Sequence, residues 1–290
     1  MPGTAVDRTF EDAHGITIHY RWWPHPRPRA IVQIAHGVGE HSGRYVELAE
    51  ALVAAGYAVA ADDHRGHGRT GLEQHGGDPS RLGLLGPGGL RATEAAIRRL
   101  TCEVAAESAG VPIVLLGHSW GSLMAQRIVD RHSTDYAALV LSGTAYRLPG
   151  YMNAGDLARR HRVPGGLGLE WLSRDEDVWQ RFHDDPLTFT TPLAKRIGPV
   201  ETLRLLGRPA RRGAPALPLL LLVGTDDTLG GERSVRALAH AYRRRAGYTD
   251  VSVRVYPEAR HELFQELNRA DVTADLVEWL DERFAGPARA

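Results

Sequence analysis

The three residue types that together turn a hydroxyl into a nucleophile occur in this chain in the order serine, aspartate, histidine. The serine lies in Gly117-His118-Ser119-Trp120-Gly121, directly after the apolar run Val114-Leu115-Leu116. A tight strand-to-helix turn holds its central residue in a strained conformation, and glycine two residues to either side avoids clashes with neighbouring backbone. The hydroxyl is then lifted clear of the sheet, and the first amides of the following helix point at any negative charge formed there. A serine hydroxyl is a poor nucleophile at neutral pH. It needs a base in contact, and the base needs an anion to fix its tautomer and stabilise the imidazolium. Gly224-Thr225-Asp226-Asp227 and Pro257-Glu258-Ala259-Arg260-His261-Glu262, each following an apolar run, offer these parts. On residue chemistry alone Asp226 and Asp227 are equal candidates: one faces His261 while the other caps the loop or the next helix. Acyl transfer also needs donors for a tetrahedral oxyanion, each worth about 3 kcal/mol. The backbone amide of Trp120 supplies one, and that of Val38, in His36-Gly37-Val38-Gly39, is the candidate for the second.

These residues can meet only if the elements before them share a sheet. Ile16 to Trp22 alternates apolar and polar, while Ala30 to Ala35, Tyr57 to Ala61, Pro112 to Leu116, Ala137 to Leu141, Leu217 to Val223 and Val251 to Tyr256 read as strands. Helices are expected around Tyr45 to Ala55, Leu90 to Ala106, after Ser119, from Glu232 to Arg244 and from Asp271 to Phe284, and Thr70 to Gly89 reads as a polar, glycine-rich loop. Strand and helix alternate up to Ser142-Gly143, which predicts an α/β fold with a mostly parallel central sheet and helices on both faces. The alternation stops from about Ala145 to Ala214, where Pro/Gly breaks and the aromatics Trp171, Trp179, Phe182 and Phe189 suggest an inserted, mainly helical cap. The expected organisation is therefore a core over 1–144, a cap over 145–214 and the rest of the core over 215–290. In open α/β sheets ligands bind beyond the carboxyl ends of the strands, which is where the serine, aspartate and histidine fall.

The 290 residues carry 35 basic and 35 acidic side chains, a balance that argues against a general nucleic-acid binder. Cys102 is the only cysteine, so an intramolecular disulfide and a cysteine-rich zinc site are excluded. Its neighbours Ala96, Ile97, Leu100 and Val104 suggest a packed core thiol. Met1 to Phe10 lacks the apolar region of a signal peptide and no stretch is long enough to span a membrane, so a cytoplasmic protein is expected. His36, His41, His64 and His67, with Asp62 and Asp63, invite a metal, but they fall on two separate loops without metal-ligand spacing. Bracing of the loops around the serine is the expected role, and neither metal nor cofactor is expected.

Taken together, His36-Gly-Val-Gly-Glu-His-Ser-Gly-Arg-Tyr45, Asp63-His-Arg-Gly-His-Gly-Arg69, Gly117-His-Ser-Trp-Gly121, Gly224-Thr-Asp-Asp227 and Tyr256-Pro-Glu-Ala-Arg-His-Glu262 resemble the monoacylglycerol lipase and lysophospholipase branch of the α/β-hydrolase superfamily. The match runs in order over nearly the whole chain, and its first motif is the one most specific to that branch. The resemblance implies a triad of Ser119, Asp227 and His261, with Asp227 preferred over Asp226 as the fourth residue of Gly-x-x-Asp. It also implies Val38 and Trp120 as oxyanion donors, a lipid-facing cap, no cofactor, and a small ester substrate such as a single-chain lipid. Transient contact of the cap with a membrane surface would follow, although no strongly basic amphipathic helix marks the chain for it. One departure is Trp120, where the branch usually has methionine. Its amide still donates, but the indole reshapes the acyl side of the pocket. An esterase or lactonase acting on a non-lipid metabolite, or a non-catalytic binding protein on the same fold, are the alternative expectations.

Overall fold

The structure is a computed structural model that describes residues 4–211 and 217–284. Its centre is an eight-stranded sheet of β1 (Val6–Glu11), β2 (Thr17–Trp23), β3 (Ile31–Ala35), β4 (Ala58–Asp62), β5 (Ile113–His118), β6 (Ala138–Ser142), β7 (Leu219–Gly224) and β8 (Val251–Tyr256). The spatial order is β1-β2-β4-β3-β5-β6-β7-β8. β1 and β2 form an antiparallel edge, and all pairings from β4 through β8 are parallel. Every residue of β3 to β7 is buried, the consequence of helices covering both faces of a parallel sheet. β2 instead alternates half-buried and buried residues through Trp22, as its sequence pattern predicts.

The helices are α1 (Val46–Ala54), α2 (Gly68–Gln74), α3 (Gly89–Glu107), α4 (Ser119–His132), α5 (Glu176–Asp184), α6 (Leu193–Arg204), α7 (Gly231–Ala241) and α8 (Arg269–Asp281). Their apolar stripes divide them between the two faces of the sheet. Ile97 and Leu100 of α3, Leu123 and Ile128 of α4, and Val235 and Leu238 of α7 pack against one face, while Leu48 and Leu52 of α1 and Val272 and Leu276 of α8 cover the other.

Three local expectations need correction. Thr70 to Gly89 is not all loop, because α2 runs into it as far as Gln74 and a short 3-10 turn lies within it at Pro79–Arg81. Glycines that read as loop residues are what let α2 pack: a Cβ on Gly71 would lie 2.3 Å from the backbone of Gly66. Cys102 is exposed rather than packed, since the buried stripe of α3 runs through Ile97, Leu100, Thr101 and Val104 and turns position 102 outward. The helix expected to reach Arg244 ends at Ala241 and continues as a π turn, Tyr242–Ala246.

Between β6 and β7 the described residues contain no strand, only the 3-10 turn Leu157–Arg160, α5 and α6, with α6 interrupted at Gly198-Pro199. The expected cap boundary at 214/215 lies outside the described residues. No helix among the described residues is long and apolar enough to cross a membrane.

Candidate active site

β5 leads straight into α4, and Ser119 at the junction has φ 51°, one of two non-glycine residues with positive φ among the described residues. Such backbone costs about 1–3 kcal/mol and persists only where the surroundings enforce it. Here they do. A Cβ on Gly121 would lie 2.1 Å from the Ala35 carbonyl oxygen, and one on Gly117 would lie 2.6 Å from Ser122 Cα. The turn therefore closes only with glycine on both sides, and Ser119 stays buried but for a small opening to solvent.

Strand register brings the other parts to the same rim. Ala35 pairs with Gly117, so residues 36–39 leave the sheet beside the nucleophile, and a Cβ on Gly37 would come within 3.0 Å of Ser119 Cβ. Gly224 pairs with Tyr256, which sets the loops carrying Asp227 and His261 side by side. His261 Nε2 lies 2.8 Å from Ser119 Oγ, and its Nδ1 lies 3.0 Å from Asp227 Oδ1. The carboxylate accepts the Nδ1 proton, which leaves Nε2 free to accept from the serine hydroxyl. Asp227 Oδ1 also accepts from the Leu229 amide at 2.8 Å, which fixes its rotamer. Asp226 faces away. Its Oδ1 accepts from Arg160 at 2.7 Å, and its carbonyl lies 2.9 Å from His161 Nε2.

Burial works against an imidazolium at position 261, but the charge of Asp227 and its hydrogen bond, helped by Glu262 and Glu40, outweigh it and raise the pKa above the ordinary 6.5. His118, whose ring centroid is 4.9 Å from that of His261, goes the other way: burial and the neighbouring His261 lower it to about 3. It is neutral at any working pH.

Among the described residues the Val38 amide has no hydrogen-bond partner, and the Trp120 amide belongs to the first turn of α4, where no carbonyl lies one turn back within the helix. The two histidine loops, separate in sequence, meet. The His36 and His64 rings stack at 3.8 Å, and His36 Nε2 accepts from the His64 amide at 2.9 Å while its Nδ1 donates to the Gly37 carbonyl. Burial holds His36 well below the usual histidine range, so its neutral ring ties the turn at 36–39 to the loop after β4. Asp63 reinforces the tie by accepting from the Ser42 amide and hydroxyl and from the Arg69 amide. Trp120, fully buried, stacks on His67, which also meets His36 and, from the β6–β7 segment, Phe189.

That segment packs against the loops that carry the site. Phe189 donates its amide to the Gly39 carbonyl, Glu262 donates its amide to the Leu172 carbonyl, and His41 Nε2 lies 2.8 Å from Asp185. Trp171 and Trp179 pack on Leu169, Leu172 and Phe182, a small core of the segment itself, and Trp171 also lies 4.8 Å from the His261 ring. Sequence reasoning singled out neither His118 nor the ion pairs of Glu40, Arg44 and Glu262; these last stand inside the quoted motifs, but only the fold turns them inward.

A family profile described as "Serine aminopeptidase, S33" matches residues 26–268. The monoacylglycerol lipase of Mycolicibacterium smegmatis is 32% identical, covering 97% of this chain and 98% of the relative. The monoglyceride lipase of Homo sapiens is 27% identical over 94% of this chain and 90% of its own. Among solved structures, the monoacylglycerol lipase of Paleococcus ferrophilus superposes with a TM-score of 0.67 at 27% identity, over 92% of this chain and 99% of that one. A thermostable carboxyl esterase from Bacillus coagulans shares the fold with a TM-score of 0.84 at 24% identity, over 97% and 99%.

Proposed function

The chain belongs to the serine aminopeptidase S33 family of α/β-hydrolases, in its monoacylglycerol lipase-like branch, and from that membership we propose that it is an ester hydrolase cleaving monoacylglycerols through Ser119, His261 and Asp227. The observation that carries this reading is the unbroken contact from the Ser119 hydroxyl through the His261 ring to the Asp227 carboxylate. In the proposed cycle His261 Nε2 takes the hydroxyl proton as Ser119 Oγ attacks the ester carbonyl. The Val38 and Trp120 amides hold the oxyanion, and Asp227 stabilises the imidazolium. As the tetrahedral intermediate collapses, His261 protonates the leaving glycerol oxygen. Water, deprotonated by the same imidazole, then attacks the acyl-enzyme and releases the fatty acid. The segment between β6 and β7, expected as a cap over 145–214, would shelter this chemistry from water. Its exposed Val163, Leu167, Val200 and Leu203 support contact with a lipid surface.

A second reading has an observation of its own. Trp120, the residue after the nucleophile, stacks on His67, which in turn meets Phe189, and rigid aromatic surface this near Ser119 favours small acyl groups and soluble esters or lactones. One experiment separates the two. Purified protein is given monoacylglycerols of increasing chain length, lysophospholipids, short p-nitrophenyl esters and an aminoacyl p-nitroanilide, and products are identified. Fatty acid and glycerol released with the highest kcat/KM support the first reading. Highest kcat/KM on short soluble esters, indifferent to chain length, supports the second, and preference for the anilide overturns both.

The reaction needs neutral His261. The expected kcat/KM therefore falls as pH is lowered through the pKa of His261, with a midpoint above 6.5 because the folded protein raises that pKa. His118, at about 3, contributes nothing to this limb. A pH profile whose acid limb is centred well below 6.5 would contradict the assignment.

A further inference from the structure

Beyond the three residues of the proposed triad, a second charged group is buried against the same loops. Glu40 Oε1 accepts from the Gly37 amide at 2.5 Å and from the Tyr45 hydroxyl at 2.8 Å, while its Oε2 lies 3.2 Å from Arg44 Nε. The same guanidinium reaches Glu262 Oε2 with Nη2 at 2.5 Å. The side chains of Glu40, Arg44 and Glu262 are 3%, 6% and 5% exposed, so this is no surface pair. Two carboxylates share one guanidinium, leaving a net negative charge out of water. Apolar packing of similar volume is often at least as stable as a buried ion pair, so stability is a weak reason for this arrangement.

We propose that Glu40, Arg44 and Glu262 form one buried strut that positions the oxyanion turn against the histidine loop and keeps negative charge beside His261, an inference that rests on the triad reading above. Glu40 stands at the end of the turn that carries Val38. By occupying the Gly37 amide it bends that turn and leaves the next amide, that of Val38, without a partner among the described residues. Glu262 follows His261 directly, and its own amide is held by the Leu172 carbonyl. Arg44 joins the two because its fork presents Nε to one carboxylate and Nη2 to the other, a geometry that a lysine ammonium lacks. Its guanidinium also lies over the Phe182 ring, 4.7 Å from the centroid, so the strut touches the β6–β7 segment as well. All three are positioning residues, acting through Val38 and His261 rather than on the substrate.

The groups around His261 define what the strut can change. Asp227 meets Nδ1, Ser119 meets Nε2, and His118 and Trp171 cover the ring, with His118 neutral. The remaining charges are those of Glu262, Glu40 and Arg44, which together leave one negative charge. Glu262→Gln removes it and should destabilise the imidazolium.

The test uses the full chain and a p-nitrophenyl ester, with active sites counted by fluorophosphonate labelling and folding followed by thermal unfolding. In Glu262→Gln the acid limb of kcat/KM is expected to move down by about 0.5–1 pH unit and kcat per labelled site to fall about ten-fold, with KM within about two-fold. Glu262→Asp, which keeps the charge, should restore most of the limb. Arg44→Lys keeps the charge but loses the fork, so kcat per labelled site should fall by about ten-fold while the limb stays in place. A purely structural role would lower only the labelled fraction and the unfolding temperature. An unmoved limb together with wild-type kcat per labelled site in both Glu262→Gln and Arg44→Lys overturns the inference. Wild-type protein that resists the fluorophosphonate would overturn the triad reading and this inference with it, whereas labelled wild type with unaffected variants overturns the strut alone.

Discussion

Ser119→Ala is expected to lower kcat about a million-fold on any ester the protein cleaves, because the covalent route disappears with the hydroxyl. The residual rate, about a thousand-fold or more over water, would come from the oxyanion donors and substrate binding alone. Folding should be spared. The alanine keeps the Cβ and loses one oxygen, and the hydrogen bond it forfeits reaches only His261 Nε2. The left-handed φ of 51° remains strained for alanine as it is for serine. The measurement is steady-state hydrolysis of a p-nitrophenyl ester, with unfolding temperature as control and fluorophosphonate labelling as the second readout. Wild-type turnover in a folded Ser119→Ala protein would remove the nucleophile from the account.

Asp227→Asn is expected to cost about ten thousand-fold in kcat. The amide can donate to Nδ1 and so favours the wrong tautomer, placing the proton on Nε2 where the base must be free. It also leaves the developing imidazolium without its counter-charge where both His261 and Asp227 are buried. The paired control is Asp226→Asn, which should stay near wild type. Its carboxylate is bound to Arg160, and with Asp226 and Arg160 both partly exposed such an ion pair contributes about 0–1 kcal/mol. Equal losses in the two variants would mean that the loop, rather than one carboxylate, supports His261.

The contrast between these neighbours shows where reading from residues stops. Gly224-Thr-Asp-Asp227 announces an acid after a strand, but both aspartates carry the same chemistry, and a one-residue difference along a loop reverses which side chain faces inward. Resemblance favours Asp227, and in the fold it is Asp227 Oδ1 that lies 3.0 Å from His261 Nδ1. At Cys102 local reading failed for a related reason. Apolar neighbours in sequence do not fix the rotation of a helix, and the stripe through Thr101 sends position 102 to solvent. The histidines after β3 and β4 were legible as residues that brace loops, but their stacking depends on β3 lying beside β4. α2 was missed because seven residues with two glycines carry too little apolar periodicity to read as a helix.

By itself the sequence determined the α/β architecture, since buried parallel strands must be continuously apolar and their helices amphipathic, and both patterns are local. It also determined that a serine, an acid and a histidine follow strands in the order that suits a nucleophile on a Gly-x-Ser-x-Gly turn. Only the tertiary structure decided which atoms meet: that His261 reaches Ser119 across 142 residues, that Asp226 turns to Arg160, and that Glu40 and Glu262 share Arg44 in the interior. Strand register and burial choose those partners, and both arise from contacts between segments far apart in the chain, which no local pattern of residues encodes.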